Sequence, residues 1–202
     1  MIRLVGPGGA GKTTVGVVLA ELLGGAFLDL DQEFTSRHGD IDEAISSEGY
    51  EAYARRNVET YLAVDRSAFA GVLALSSGFM TYPPHVHRRY VEIREEIARS
   101  PTTFVLLRSF ELEACVVATV RRQLARPFAN RTAEREEPVI RGRHGIYLAL
   151  PAGKVETMSS PDAVAAEIRS KLRLSDDAGD RGQESSLLLG KTGESRLGLL
   201  DA

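Results

Sequence analysis

An eight-residue segment near the start of the chain has the residue types and the spacing needed to bind a phosphate chain. Residues 6–13 read GPGGAGKT, a glycine followed after four residues by Gly-Lys-Thr. Glycines let a backbone loop turn its N–H groups towards phosphate oxygens, and a following helix adds the positive end of its dipole. The lysine then reaches the terminal phosphates, and the threonine hydroxyl is available to Mg²⁺. The residues expected to bind the nucleotide are Gly8, Gly9, Ala10, Gly11, Lys12, Thr13 and Thr14.

Two aspartates follow at the end of the next apolar run. In residues 27–31, FLDLD, the carboxylates alternate with apolar residues, and this period of two places both on one side of a predicted strand. Ligands bind at the carboxyl ends of the strands in open parallel sheets. We therefore expect Asp29 near the metal, together with Thr13, and Asp31 near an acceptor hydroxyl. This pair favours a small-molecule kinase over the motors and GTPases that share the same loop.

A local excess of arginine lies in the second half of the chain. Residues 121–143 hold seven arginines against three glutamates, which suits a multiply charged anion. The alternative interpretation is a solvated helix face, and at least one of Arg121 and Arg122 is expected to face solvent. Nucleic acid is not expected as a partner, because the net charge is −3 and no aromatic platform accompanies the arginines.

The segments that must hold these residues alternate between short apolar runs and longer stretches of helical period. Such alternation is typical of βαβ units on a parallel sheet. We predict strands at 2–5, 26–30, 72–76, 103–107 and 154–157, and helices at 11–23, 42–66, 84–98, 111–124 and 161–172. The predicted fold class is α/β, a three-layer sandwich with a five-stranded parallel sheet.

One domain is expected to take up most of the 202 residues, over 1–174. Residues 125–137 are polar, rich in arginine and aperiodic, which predicts a mobile lid over about 125–140. Residues 175–202 contain Ser, Gly, Asp and Leu without a period, and we predict a disordered tail there.

Composition and cysteine content point to a cytoplasmic protein. Hydrophobic residues make up 43% and charged residues 26%, as in ordinary globular proteins. The single cysteine, Cys115, lies in an apolar helical run and cannot close an intramolecular disulfide. No run is long enough to cross a bilayer, and a motif that begins at residue 6 leaves no room for a signal peptide. We expect a cytoplasmic monomer with no membrane partner.

From residue 2 to about residue 172 the chain resembles the shikimate kinase family, within the nucleoside-monophosphate-kinase-like group of phosphate-loop proteins. In that family an Asp-x-Asp pair follows the loop, as Asp29 and Asp31 do. An arginine three residues before a glutamate is matched by Arg56 before Glu59. Arg55 is the competing candidate, since an ungapped count from Asp31 favours it.

Three further segments carry the resemblance. The Arg-Pro pair of the family's lid is matched by Arg126-Pro127, and an arginine four residues before a tyrosine is matched by Arg143. Residues 159–161, which end in Pro161, resemble the family's adenine-side turn. The family has three consecutive glycines after its third strand, whereas this chain has Ser76-Ser77-Gly78. Either the serine hydroxyls replace backbone contacts, or the acceptor differs in shape.

The resemblance implies a fold of the P-loop NTPase type with a mobile lid, and an enzyme of aromatic amino-acid biosynthesis. Its reaction would transfer the γ-phosphoryl of MgATP to a hydroxyl of shikimate, giving shikimate 3-phosphate. The catalytic residues would be Lys12, Asp31 and Arg126, the metal ligands Thr13 and Asp29, and the acceptor contacts Asp31, Arg55 or Arg56, Ser77, Gly78 and Arg143. Two alternatives stay open: a kinase for another polyol acid or an antibiotic hydroxyl, and a nucleotide-binding module without phosphotransfer.

Overall fold

The central element is a parallel sheet, seen in a computed structural model that describes residues 1–125 and 132–173. The strands are β1 (Ile2–Val5), β2 (Ala26–Asp29), β3 (Gly71–Ala74), β4 (Thr103–Leu107) and β5 (Gly153–Glu156). Their spatial order is β2-β3-β1-β4-β5, and every neighbouring pair is parallel. Because β1 lies at the centre, the loop after it sits in the middle of the sheet's carboxyl edge. The predicted α/β class with a five-stranded parallel sheet is confirmed.

Helices cover both faces of the sheet. They are α1 (Lys12–Leu23), α2 (Leu30–His38), α3 (Ile41–Glu48), α4 (Tyr50–Arg66), α5 (Tyr90–Arg99), α6 (Leu112–Leu124), α7 (Ala133–Leu148) and α8, helical over 161–173. Two single 3₁₀ turns, Phe79–Thr81 and Pro84–Val86, lie between β3 and α5. Within the described ranges no helix combines the length and the apolar character that a bilayer span requires.

Side chains that alternate along the strands fill two separate cores, which gives the three layers. Leu4 packs with Leu19 of α1 and Ile168 of α8 on one face. The next residue, Val5, belongs to the opposite core with Phe34 of α2. All five residues are 0% exposed, so the sheet buries side chains on both of its faces.

The second strand is shorter than predicted, and this changes the position of Asp31. β2 ends at Asp29, whose Oδ1 accepts a hydrogen bond from the backbone N–H of Asp31 at 2.9 Å and so caps α2. Asp31 therefore lies in the first turn of a helix. The expectation that both aspartates alternate on one strand is wrong, although both still reach the carboxyl edge of the sheet.

The helix predicted over 42–66 is in fact two helices with a break at Gly49. The N–H of Gly49 donates to the Ile45 carbonyl at 2.9 Å, which closes α3. Its φ of 89° is readily adopted by glycine, and α4 starts at the next residue, Tyr50. Similarly, the helix predicted over 84–98 begins only at Tyr90. The apolar period continues across these breaks and does not reveal them.

Helix α7 occupies part of the segment predicted to be aperiodic. Its buried residues are Ile140, His144 and Tyr147, and Pro138 interrupts its hydrogen bonding. So few apolar positions give a weak helical period. Residues 126–131 and 174–202 lie outside the described part of the chain. The lid over 125–140, the domain boundary at 174 and the tail over 175–202 thus stay predictions.

Close packing of α1 on β2 yields a stability prediction. A Cβ on Gly16 would lie 2.3 Å from Phe27 Cε2, so Gly16→Ala should lower the free energy of unfolding by about 1–3 kcal/mol. The matched control is Gly145→Ala in α7, where nothing lies within 4 Å of the added Cβ. This control should gain about 0.5–1 kcal/mol from helix propensity. Urea unfolding of both variants checks the prediction, and a gain in Gly16→Ala would contradict it.

Candidate active site

The loop between β1 and α1 is held from behind by β4 and by the residue after β5. Gly6 has φ 149°, and a Cβ there would lie 2.2 Å from the Leu106 carbonyl oxygen, so the position requires glycine. Thr157 Oγ1 donates to the Ala10 carbonyl at 2.7 Å. Lys12 Nζ donates to the Gly6 carbonyl at 2.8 Å. The ammonium group therefore lies against the loop, at the start of α1.

A cavity of about 140 Å³ opens beside this loop. Its lining consists of Gly8, Gly9, Gly11, Lys12, Thr13, Thr14, Asp29, Asp31, Leu75, Ser77, Arg122 and Gln123. We name it the nucleotide cavity. The residues expected to bind nucleotide are thus brought together, with the exception of Ala10, which is fully buried beneath the loop.

Two residues of α6 in this lining were not identified from the sequence. Arg122 Nη2 donates to Thr14 Oγ1 at 3.1 Å and has no carboxylate partner in the described ranges, whereas Arg121 is exposed. Gln123 is 2% exposed, and its Oε1 accepts no hydrogen bond from any described group. Its Nε2 donates to Glu136 Oε2 at 3.3 Å. These two residues line the cavity because of the way α6 is rotated relative to the phosphate loop, which the sequence does not reveal.

Thr13 and Asp29 provide oxygen atoms suited to Mg²⁺. Thr13 Oγ1 donates to Asp29 Oδ2 at 2.7 Å, and both residues line the nucleotide cavity. Mg²⁺ is bound through oxygen, commonly by one or two protein groups together with substrate phosphates and water. No cluster of three or more His, Cys, Asp or Glu is present among residues 1–125 and 132–173. The two residues fit an ion that arrives with a nucleotide.

Asp31 is a carboxylate with an unusual environment. Burial raises the pKa of its carboxyl above the ordinary value, and the nearby Asp29 carboxylate raises it further. The Ser76 and Tyr53 hydroxyls and the Lys12 ammonium oppose this rise in pKa. Asp31 Oδ1 is buried and accepts no hydrogen bond within the described part of the chain. Asp31 also lines the nucleotide cavity, so its carboxyl group is placed beside a ligand that enters it.

A second cavity, of about 380 Å³, meets the first at Asp31 and Ser77. It lies between α2, α3, α4, α7 and the loop after β3, and we name it the acceptor cavity. The lining residues are Asp31, Thr35, Asp40, Ile41, Asp42, Ile45, Tyr50, Tyr53, Ser77, Gly78 and Arg143. Tyr50 and Tyr53 were missed in the sequence, because their positions depend on the start of α4 at the break.

Arg143 is a cation whose described partners are all neutral oxygen atoms. Its Nη1 lies 3.3 Å from the Ser77 carbonyl and 3.4 Å from Ser77 Oγ, and its Nη2 donates to the Tyr50 hydroxyl at 3.2 Å. Other arginines have carboxylate partners; Arg141 pairs with Glu113 at 2.6 Å. Half-buried charges are usually paired, so Arg143 marks a position for an anionic group of the ligand.

The two candidates for the second acceptor arginine do not reach either cavity. Arg56 is paired with Glu48, and Arg55 is exposed on α4. The inward face of this helix is formed by Tyr53 and Asn57, four residues apart. The structure thus brings Arg143 to the acceptor cavity but neither Arg55 nor Arg56. The helix turns both of their side chains towards other surroundings.

The turn after β3 forms the wall between the cavities. Ser76 is 2% exposed, and its hydroxyl faces the Asp31 carboxyl group, whose pKa it lowers. The Ser77 carbonyl accepts a hydrogen bond from the Tyr147 hydroxyl at 2.9 Å. A Cβ on Gly78 would lie 2.4 Å from the Tyr50 hydroxyl and 3.1 Å from Arg143 Nη2. A side chain at Gly78 would therefore displace the Tyr50 hydroxyl, whereas the two serines are accommodated.

Besides Ala10, Arg55 and Arg56, two further predicted site residues are not placed in the cavities. Pro161 begins α8 and is not part of either lining, so its contact with the nucleotide stays a prediction. Arg126 lies outside the described residues, and its catalytic role likewise stays a prediction.

The sheet order, the phosphate loop after the central strand and the second cavity define a class of protein. It is a phosphate-loop enzyme that brings a nucleotide and a small second ligand together at a shared wall. The family model for shikimate kinase matches residues 8–173, and the chain belongs to the shikimate kinase family.

Individual relatives agree with this assignment. The chain is 30% identical over 175 residues to shikimate kinase 2 of Erwinia tasmaniensis, covering 86% of this chain and 95% of that protein. It is 44% identical over 95 residues to shikimate kinase of Acinetobacter baylyi, about half the length of each. The structure of shikimate kinase from Acinetobacter baumannii in complex with shikimate is similar at a TM-score of 0.64 and 29% identity, covering 87% and 93% of the two chains.

More distant structures share the fold. Shikimate kinase from Aquifex aeolicus has a TM-score of 0.63 at 20% identity and covers 85% of this chain and 95% of its own. A gluconokinase from Sinorhizobium meliloti has a TM-score of 0.53 at 16% identity and covers 89% and 95%. At these identities the likeness establishes the fold alone.

The raised pKa of Asp31 predicts that its buried charge lowers the stability of the folded protein. Asp31→Asn removes a buried charge at constant shape, so the melting temperature should rise at pH 8. The free-energy cost of the buried charge is complete above the raised pKa of folded Asp31 and disappears as the pH falls to the ordinary aspartate pKa of about 4. The gain in melting temperature from Asp31→Asn should therefore shrink over this pH range. The control is Asp162→Asn, an exposed position, which should show no gain. Calorimetry at several pH values is the measurement, and a lower melting temperature of Asp31→Asn at pH 8 would refute the prediction.

Proposed function

We propose that this protein transfers the γ-phosphoryl group of ATP to a hydroxyl of shikimate, with Mg²⁺ bound at Thr13 and Asp29. The observation that carries the proposal is the junction of the two cavities at Asp31 and Ser77. A nucleotide in one cavity and a hydroxylated acid in the other would meet at the Asp31 carboxylate, which lines both. The family and the shikimate complex of the Acinetobacter baumannii relative support the same acceptor.

The nucleotide would be held by the loop and by two cations. Backbone N–H groups from Gly8 to Thr13 face phosphate oxygens, and Lys12 neutralises the terminal phosphates. Arg122, which has no carboxylate partner in the described ranges, supplies a second charge at the edge of the cavity. Thr13 and Asp29 would hold Mg²⁺, which would supply positive charge to offset that of the phosphates. We propose that Arg126 adds to this charge on the transferring group.

Asp31 would orient the acceptor hydroxyl and receive its proton. The new bond joins the acceptor oxygen to the γ-phosphorus, the bond from that phosphorus to the bridging oxygen breaks, and ADP leaves. The hydroxyl proton passes to Asp31 and then to solvent. A carboxyl whose pKa is raised by burial accepts a proton more readily than an ordinary aspartate.

Arg143 would bind the acceptor carboxylate. Its described partners are neutral and two of its contacts exceed 3.2 Å, so a charged ligand oxygen competes well for the guanidinium. We further propose a cytoplasmic location, consistent with the buried free thiol of Cys115.

One observation favours a second candidate, a kinase for another hydroxylated acid. In the described part of the chain the acceptor cavity holds a single arginine, and serines replace two glycines of the family's turn. Both differences alter the surface that an acceptor meets. An acceptor panel separates the candidates: ADP release is coupled to a spectroscopic signal with MgATP and shikimate, quinate, gluconate or an aminoglycoside. Turnover with shikimate and not with the others supports the first candidate.

Lys12→Ala tests the phosphate loop. We expect kcat/KM to fall by a factor of about 10² to 10³, because a charge-stabilising donor is lost from the transferring group. The melting temperature should change little, since Lys12 belongs to neither core. The matched control is Lys171→Ala on α8, which should keep full activity. Unchanged turnover in Lys12→Ala would contradict the assignment of the loop.

Arg143 decides whether the acceptor must be an acid. Shikimate should exceed its neutral amide in kcat/KM by a factor of roughly 10 to 150, the value of one hydrogen bond to a charged group. Arg143→Ala should narrow this ratio, because the loss of the cation penalises the acid most. Arg56→Ala, which removes an arginine outside the cavity, should keep the ratio. Equal turnover of acid and amide by the unmodified protein would show that no carboxylate is bound there.

A further inference from the structure

The break at Gly49 places an aromatic hydroxyl beside the cation of the acceptor cavity. Because α4 starts immediately after it, Tyr50 lies at the first position of the helix and lines the cavity. Its ring is packed against Tyr53 and Tyr82, with centroids 5.8 and 5.9 Å away. The side chain is 41% exposed, so its hydroxyl meets any molecule that enters.

The Tyr50 hydroxyl accepts one hydrogen bond through its oxygen and can donate another through its proton. The oxygen accepts from Arg143 Nη2 at 3.2 Å, and no described group accepts the O–H proton. Burial raises the pKa of the phenol despite the neighbouring guanidinium, so the hydroxyl stays protonated at neutral pH. Gly78 leaves room for this pair, since a Cβ there would lie 2.4 Å from the hydroxyl.

Resting on the proposed function, we infer that the Tyr50 hydroxyl donates a hydrogen bond to the acceptor carboxylate next to Arg143. Tyr50 is thereby a specificity-determining residue. A carboxylate has two oxygens, and a guanidinium and a hydroxyl that touch each other can bind one oxygen each or share one. The hydroxyl thus makes the second acceptor contact, which the family resemblance had assigned to Arg55 or Arg56. Neither arginine lines the acceptor cavity.

The pairing of the neutral Tyr50 hydroxyl with the Arg143 cation affects which acceptors the cavity binds. The site offers two directed hydrogen bonds and one positive charge, which matches a monoanion. A rigid tyrosine with two side-chain torsions also loses little conformational freedom when it binds, whereas a long arginine loses more. We therefore expect Tyr50 to act on acceptor binding and not on nucleotide binding or on the chemical step.

The first test is Tyr50→Phe, which keeps the ring and removes the hydroxyl. We expect kcat/KM for shikimate to fall about tenfold through a higher KM, with kcat and the KM for ATP unchanged. The matched control is Tyr61→Phe. It also removes a phenol oxygen that accepts from an arginine, here Arg3 Nε at 3.0 Å, but it lies in neither cavity lining. This control should keep the KM for shikimate.

The second test separates direct binding from the positioning of Arg143. In an Arg143→Ala background, kcat/KM is measured from initial slopes at low shikimate, with and without Tyr50→Phe. A hydroxyl that binds the carboxylate itself should still be worth roughly threefold or more in this background. A hydroxyl that only positions the guanidinium should be worth nothing once Arg143 is gone, and that result would overturn the inference.

Each outcome bears on a distinct claim. If the unmodified protein does not phosphorylate shikimate, the proposed function fails and the inference falls with it. If it does, and Tyr50→Phe matches the unmodified protein in KM, the inference alone is overturned. A loss confined to kcat or to the KM for ATP would also overturn it, since the hydroxyl would then act elsewhere.

Discussion

The carboxylate of Asp29 connects the two halves of the site. One of its oxygens accepts from Thr13 at the start of α1, and the other caps α2 through the N–H of Asp31. The same group thus lines the nucleotide cavity and caps the helix that carries Asp31, a residue of both linings. Without the Asp29 carboxylate, α2 would lose its side-chain cap and the Thr13 hydroxyl its acceptor.

Local patterns predicted the phosphate loop and the α/β fold, because glycine spacing and short apolar runs act over a few residues. The convergence of Asp29 and Asp31 was expected, but through a strand, whereas a helix cap produces it. Arg55 and Arg56 illustrate the limit of spacing: a count along the chain does not give the rotation of α4. Helix α4 starts after the break at Gly49 and presents Tyr50 and Tyr53 to the acceptor cavity. Helix α7 was not predicted, because it buries few side chains and its apolar period is therefore weak.

The number of arginines in a segment does not show which of them line a cavity. Several of its arginines are occupied by their own carboxylates, as Arg37 is with Glu33 and Arg141 with Glu137. Such exposed pairs contribute little to stability. Arg122 and Arg143 differ, since each lines a cavity and each is hydrogen-bonded to neutral oxygen among the described residues. The kinds of partner, and not the number of arginines, distinguish these two cavity-lining arginines from the paired arginines at the surface.

The Ser77 carbonyl accepts hydrogen bonds from both Tyr147 and Arg143, two residues of α7, while Ser77 itself lines both cavities. A ligand that draws Arg143 away from this carbonyl changes a wall that the other ligand touches. The affinities for the two substrates are then thermodynamically linked, and the linkage has the same magnitude in either direction.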